Sequence, residues 1–156
     1  MPEAAPPQRV LGFDFGTRRI GMAFGQRITG TATALPVVAH GAAGPDWPRI
    51  EQALREWRPE ALVVGLPLAL DGGEQATTTL ARRFAHALGE RCGLPVHLQD
   101  ERMTSIEADR RFAAMRAAGQ RRRHDAAQLD SIAAQVIVEN FLASPFPPPA
   151  TPGVAP

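Results

Sequence analysis

Three apolar runs lie close together near the start of the chain, at Val10–Phe15, Gly21–Phe24 and Thr31–Val38. Only "GTRR" and "GQRITG" separate them. A parallel connection needs a crossover of a dozen or more residues, so spacers this short dictate an antiparallel meander. Half of a sheet is therefore specified before any helix has formed.

The pattern then changes. Trp47, Ile50, Leu54 and Trp57 recur at helical spacing and predict a helix over 46–58, which Pro59 ends. "ALVVGLP" is a continuous apolar run, as expected of a strand covered on both faces. A second helix is expected over 74–91 with Leu80, Phe84 and Leu88 inward, and "LPVHLQDE" supplies a fifth strand. Thr104 with Glu107 resembles a capping box opening a helix whose stripe is Ala108, Phe112 and Met115. Asp125 with Gln128 opens another, running to about Leu142. The expected fold class is α/β: a five-stranded mixed sheet, three antiparallel strands then two parallel, with helices on both faces.

One domain suits a chain of 156 residues that is 44% hydrophobic. Its expected bounds are 10–142, between a flexible lead-in at 1–9 and a Pro-rich disordered tail at 143–156. The lone Cys92 excludes an internal disulfide framework and a cysteine zinc cluster, which suits a reducing cytoplasm. No apolar run approaches the roughly 20 residues of a membrane span. The net charge of +1 excludes a bulk polycation. Every basic residue is arginine, however, so each positive contact is a planar donor suited to phosphate.

Three acids stand where apolar residues would be expected. Strand alternation puts Val10, Gly12 and Asp14 on one face and Leu11, Phe13 and Phe15 on the other. Gly12 leaves room for a helix or ligand to approach that face. Asp130 is followed at helical intervals by Ala133, Ala134, Ile137 and Phe141, so it lies on an apolar stripe. An unpaired buried carboxylate is costly, so Asp130 needs a cation, a donor or a proton. The third acid lies in "DER" at the end of the fifth strand, where open α/β sheets place ligand sites. Alternation alone does not choose between Asp100 and Glu101 there.

Each acid has an ordinary structural reading: a turn cap for Asp14, a satisfied core acid for Asp130, a helix cap in "DER". Together they describe a sheet edge able to hold a pair of hard divalent cations, Mg²⁺ or Mn²⁺, for phosphodiester hydrolysis. Arg18, Arg19, Arg102 and the run Arg121, Arg122, Arg123 flank the acids and would let a polyanion approach. "GLPLALDGGEQ" adds backbone N–H groups before a helix, readable equally as a phosphate or strand contact and as a tight structural loop. Arg121–Arg123 taken alone read as a solvated loop.

The pieces "LGFDFGTRRIGMAFG", "ALVVGLPLALDGGE", "DERMTSIEADR" and "LDSIAAQVIVENFL", in this order, resemble the YqgF/RuvX family and span residues 10 to 142. The resemblance implies an RNase H-like fold and a metal-dependent nuclease that processes the 5′ end of pre-16S rRNA in ribosome biogenesis, with a ribosomal particle as a possible partner. By motif it carries the family's catalytic, metal-binding carboxylates onto Asp14, Glu101 and Asp130, choosing Glu101 over Asp100. Ala69 departs from the Asn often found in the family's Gly-Leu-Pro loop. Competing readings are a Holliday-junction-type DNA resolvase, a non-catalytic nucleic-acid-binding protein, and an ATPase suggested by "DFGT". The last needs two such domains around a nucleotide.

Overall fold

The structure, a computed structural model, describes residues 5–102, 104–117 and 125–146. The three early runs form β1 (Arg9–Asp14), β2 (Arg19–Gln26) and β3 (Thr31–Gly41). A two-residue strand β4 (Gly44–Pro45) and helix α1 (Trp47–Trp57) follow. Then come β5 (Ala61–Leu66), α2 (Ala76–Cys92), β6 (Val96–Asp100), α3 (Thr104–Ala117) and α4 (Asp125–Ala143).

The sheet order is β4-β3-β2-β1-β5-β6. β1, β2 and β3 are antiparallel neighbours, whereas β5 runs parallel to β1 and β6 parallel to β5. The expected mixed sheet is present, with six strands in place of five. The extra one pairs only His40 and Gly41 with Pro45 and Gly44, a stub too short to carry an alternation pattern.

Side-chain alternation divides the core into layers. Leu11, Phe13, Met22, Leu62 and Val64 face α1 and α2, where they meet Ile50, Phe84 and Leu88. Val10, Ala23 and Val63 face α4 and pack on Ala134, Ile137, Val138 and Phe141. The back of α4 is covered in turn by α3 through Ala108, Phe112, Ile132 and Val136. Helix α4 is thus a middle layer, which explains why its buried arc is wide.

Two expected boundaries need correction. Helix α2 begins at Ala76, where Gln75 and Thr78 make a reciprocal capping box, and its inward stripe runs through Ala81, Phe84, Ala85 and Leu88. Leu80 lies outside that stripe and is exposed. At the chain's start, Arg9 already belongs to β1, one residue earlier than expected. There the Glu60 carboxylate accepts the backbone N–H groups of Gln8 and Arg9. In α3 the Glu107 carboxylate accepts from Arg110 and Arg111. Among the described residues no helix is long and apolar enough to cross a membrane.

Candidate active site

Asp14 ends β1, one residue past the parallel pair Phe13–Val64, on the face that carries α4. Two strands away, β6 ends at Asp100, and the Glu101 N–H continues the ladder by donating to the Leu66 carbonyl (3.2 Å). Since Gln99 pairs with Gly65, Glu101 keeps the parity of the α4 face and Asp100 takes the opposite one. The register, which the sequence leaves open, thus selects Glu101. Asp100 serves the neighbouring arginine instead, its carboxylate accepting from the Arg102 backbone N–H (2.9 Å) and Nε (2.8 Å).

Strand β5 separates Asp14 from Glu101, so their backbones stand two strand spacings apart, about 9.6 Å. Between them lies Gly65. A Cβ there would sit 2.7 Å from Glu101 Oε2, so the missing side chain is the space the carboxyl occupies. Through this gap the longer Glu101 side chain reaches towards Asp14, close enough for each carboxyl to shift the other's proton affinity.

Burial disfavours charge on both acids. The Asp14 carboxyl is pushed up to about 7, by burial first and by the Asp130 charge, against the lowering effect of the Glu101 hydrogen bond. Glu101 is pushed up to about 9 by burial, by the neighbouring Asp14 charge, by their hydrogen bond and by Asp100. Both carboxyls are therefore pushed towards their protonated forms, and the pair as a unit favours keeping a proton.

Asp130 arrives from α4 on the apolar stripe that its helical spacing predicts. Its main chain lies directly over β2: a Cβ on Gly21 would overlap the Asp130 carbonyl oxygen. Gly21 is the antiparallel partner of Asp14, which puts the two acids on neighbouring positions. Gly12 and Gly25 repeat the arrangement further along the helix, where added methyl groups would overlap Val138. The Asp130 carboxylate, however, turns to Arg19, whose Nε donates to Oδ2 at 2.9 Å. Among the described residues, accordingly, no three acidic, histidine or cysteine side chains already form a metal-sized cluster. Asp14 and Glu101 come together, while Asp130 stands beside them paired to an arginine.

The donor set itself suits a hard divalent cation. All three groups present carboxylate oxygens, and the proton retained by the Asp14–Glu101 pair marks a place where positive charge is favoured.

The flanking arginines are placed unevenly. Arg18 is exposed in the β1–β2 turn, and Arg19 is half-exposed beside it. Arg102 pairs with Asp100 and also donates to the Leu70 carbonyl, joining the end of β6 to the β5–α2 loop. Arg121, Arg122 and Arg123 lie outside the described residues. The β5–α2 loop consumes its own donors: the Ala69 N–H goes to the Gly73 carbonyl, Gly72 to Ala69, and Gly73 to the Asp71 carboxylate. Those three N–H groups are not the open phosphate cradle that the sequence suggests.

Sequence reasoning passed over Gly65, Gly21 and His40. A glycine inside an apolar strand run is a signal of close approach, and "VVGLP" and "RIGMAF" both carry it. His40 has no local signal. Its Nδ1 meets the Gly16 carbonyl at 2.7 Å and its backbone N–H donates to the Arg18 carbonyl at 3.0 Å, bracing the turn that presents both arginines.

Comparison with known proteins identifies the family and the fold. The family model described as "RuvX: Holliday junction resolvase" matches residues 8–144. A protein of Xanthomonas oryzae pv. oryzae, named "Putative pre-16S rRNA nuclease", is 51% identical over 93% of this chain and 96% of its own length. A protein of Xanthomonas axonopodis pv. citri with the same name is 50% identical over the same shares. Among solved structures, T. thermophilus RuvC in complex with a Holliday junction substrate gives a TM-score of 0.51 at 20% identity, covering 86% of this chain and 93% of that one. The fowlpox virus resolvase bound to Holliday junction DNA gives 0.50 at 11% identity, covering 87% and 99%. These likenesses identify the fold as RNase H-like, and the family match together with the half-identical relatives places the chain in the RuvX (YqgF) family.

Proposed function

We propose that this chain is a divalent-metal-dependent endonuclease that processes the 5′ end of pre-16S rRNA. The setting is ribosome assembly in the cytoplasm, with a precursor ribosomal particle as partner. The observation that carries the reading is the Asp14–Glu101 pair, two half-buried carboxyls brought together over Gly65 with Asp130 alongside. The names borne by the Xanthomonas relatives supply the substrate.

Asp14, Glu101 and Asp130 would hold Mg²⁺ or Mn²⁺, which supplies an activated water and stabilises the leaving oxygen of a phosphodiester. The chain's own residues set the conditions for that. With a cation bound, the Asp14–Glu101 pair would give up its retained proton to solvent, so that all three carboxylates could offer ionised oxygen donors. Arg18 and Arg19 stand at the rim, where a phosphate backbone would cross, and Arg102 faces it from the β6 side.

The test is incubation of purified protein with precursor rRNA and with four-way junction DNA, each in Mn²⁺, Mg²⁺ or EDTA. The expected result is metal-dependent cutting of the precursor, abolished by EDTA and by Asp14→Asn. Preferential cutting of the junction would transfer the same chemistry to DNA. No cutting of either substrate would sink the nuclease reading.

A further inference from the structure

Arg19 combines a fixed backbone with a movable side chain. Its backbone opens β2 and is braced by the turn before it, since a Cβ on Gly16 would overlap the Arg19 carbonyl oxygen. His40 ties the same turn down at the Gly16 and Arg18 carbonyls. The side chain, in contrast, is 39% exposed, and among the described residues it is held to Asp130 by one hydrogen bond, Nε to Oδ2. The base is fixed and the arm can swing.

The carboxylate it holds is the one acid of the three that has not joined the others. A half-exposed ion pair is weak in water, because solvent screens it and both side chains lose freedom. A divalent cation carries twice the charge of a guanidinium and gathers several oxygens at once. Both cannot take the inward side of Asp130 together without their charges repelling.

Resting on the metal-site reading above, we propose that Arg19 is an exchangeable counter-cation. It caps Asp130 until a divalent cation displaces it, and the freed guanidinium then takes a phosphate oxygen of the incoming nucleic acid. Loading of the cation and binding of the polyanion are thereby coupled, each favouring the other by the same factor. In this arrangement the empty site presents Asp130 paired with Arg19. The loaded site presents its arginine outward. Arg18, one residue earlier and exposed, has no such carboxylate partner among the described residues, so exchange is particular to Arg19.

Calorimetric titration with Mn²⁺, in the absence of nucleic acid, tests this without any reliance on turnover. Arg19→Gln should bind Mn²⁺ about tenfold more tightly than the wild type, because its competitor is gone. Asp130→Asn should bind it more weakly. Unchanged or weaker binding by Arg19→Gln, with Asp130→Asn still impaired, overturns the exchange and leaves the metal site standing. Wild-type binding by Asp130→Asn, or no Mn²⁺ binding by any of the proteins, overturns the site and the exchange together. A second measurement uses the unmutated chain. The Arg19 Nε–H resonance in an NMR spectrum should move on addition of Mg²⁺ towards its position in Asp130→Asn. A resonance unmoved at saturating Mg²⁺ overturns the exchange whatever the variants do.

Discussion

Gly65 and Glu101 share one space: a methyl group on the glycine would lie 2.7 Å from Glu101 Oε2 and would overlap Ile137 Cδ1 as well. Both clashing atoms are side-chain ends, so the methyl group would have to displace the fully buried Ile137 side chain and the Glu101 carboxyl. Gly65→Ala should cost about 1–3 kcal/mol through overpacking, a fall in melting temperature of roughly 2–4 °C per kcal/mol. It should also reduce Mn²⁺-dependent cleavage, because Glu101 is pushed off Asp14. A Gly65→Ala protein with wild-type melting temperature and rate would show that the two residues do not compete.

The retained proton predicts how stability in EDTA depends on pH. Asp14 and Glu101 rise on folding, from 3.8 to about 7 and from 4.5 to about 9. Between the unfolded and folded values the native state binds more protons than the unfolded chain, so this contribution falls as pH rises. It is fully present below about pH 4 and is lost progressively until the pH has passed through about 9. Thermal melts of the wild type against Asp14→Asn, Glu101→Gln isolate it from the other acids. The double variant should gain on the wild type steadily towards alkaline pH, and saturating Mn²⁺ should shrink that gain. A constant difference across the range would argue against the retained proton.

Asp130→Asn separates catalytic from structural use of that acid. Its ion pair with Arg19 is partly exposed on both sides, so losing it should change stability by only about 0–1 kcal/mol. Removing one ligand charge should nevertheless slow cleavage on the order of a hundredfold or more. Melting temperature and Mn²⁺-dependent rate are measured on the same preparation. A folded variant that cuts at the wild-type rate would remove Asp130 from the chemistry.

The arginines should differ in how they affect salt dependence. Each phosphate contact contributes a slope of about 0.7–0.9 in a plot of log affinity against log salt. Arg18→Ala should remove roughly one such contact. Arg102→Ala should remove less, because Asp100 already neutralises Arg102 with bonds of 2.6 to 2.9 Å. Fluorescence anisotropy of a labelled RNA across a salt series reads both. Equal slopes for the two variants would mean that Arg102 leaves Asp100 when RNA binds.

What the sequence made legible follows from what is local. Alternation placed Asp14 opposite Phe13 and Phe15, and 3.6-residue spacing placed Asp130 on a buried stripe, since both periodicities are carried by neighbours in the chain. The choice between Asp100 and Glu101 depends on the register of β6 against β5, a contact between residues about 35 positions apart. Resemblance to a family supplied it where pattern could not. Arg19 was read as a phosphate ligand, and its partner 111 residues away has no trace in the local sequence. β4 was missed because Gly44 and Pro45 carry neither alternation nor β-branched side chains. Leu80 was misplaced because successive steps of four drift about 40° each around a helix of 3.6 residues per turn. The buried stripe instead mixes steps of three and four through Ala81, Phe84, Ala85 and Leu88.

The bare glycines under α4 also decide how the site behaves when the protein is warmed. Gly21 lets the main chain of Asp130 rest on the main chain of β2, opposite Asp14, with no rotatable side chain in between. A joint of that kind has no slack: sheet and helix breathe as one piece, and the spacing of their acids is inherited from the backbone. Heating should therefore blur the arginine rim long before it spreads the carboxylates. The site should lose its grip on substrate at temperatures where its acids still stand in their places.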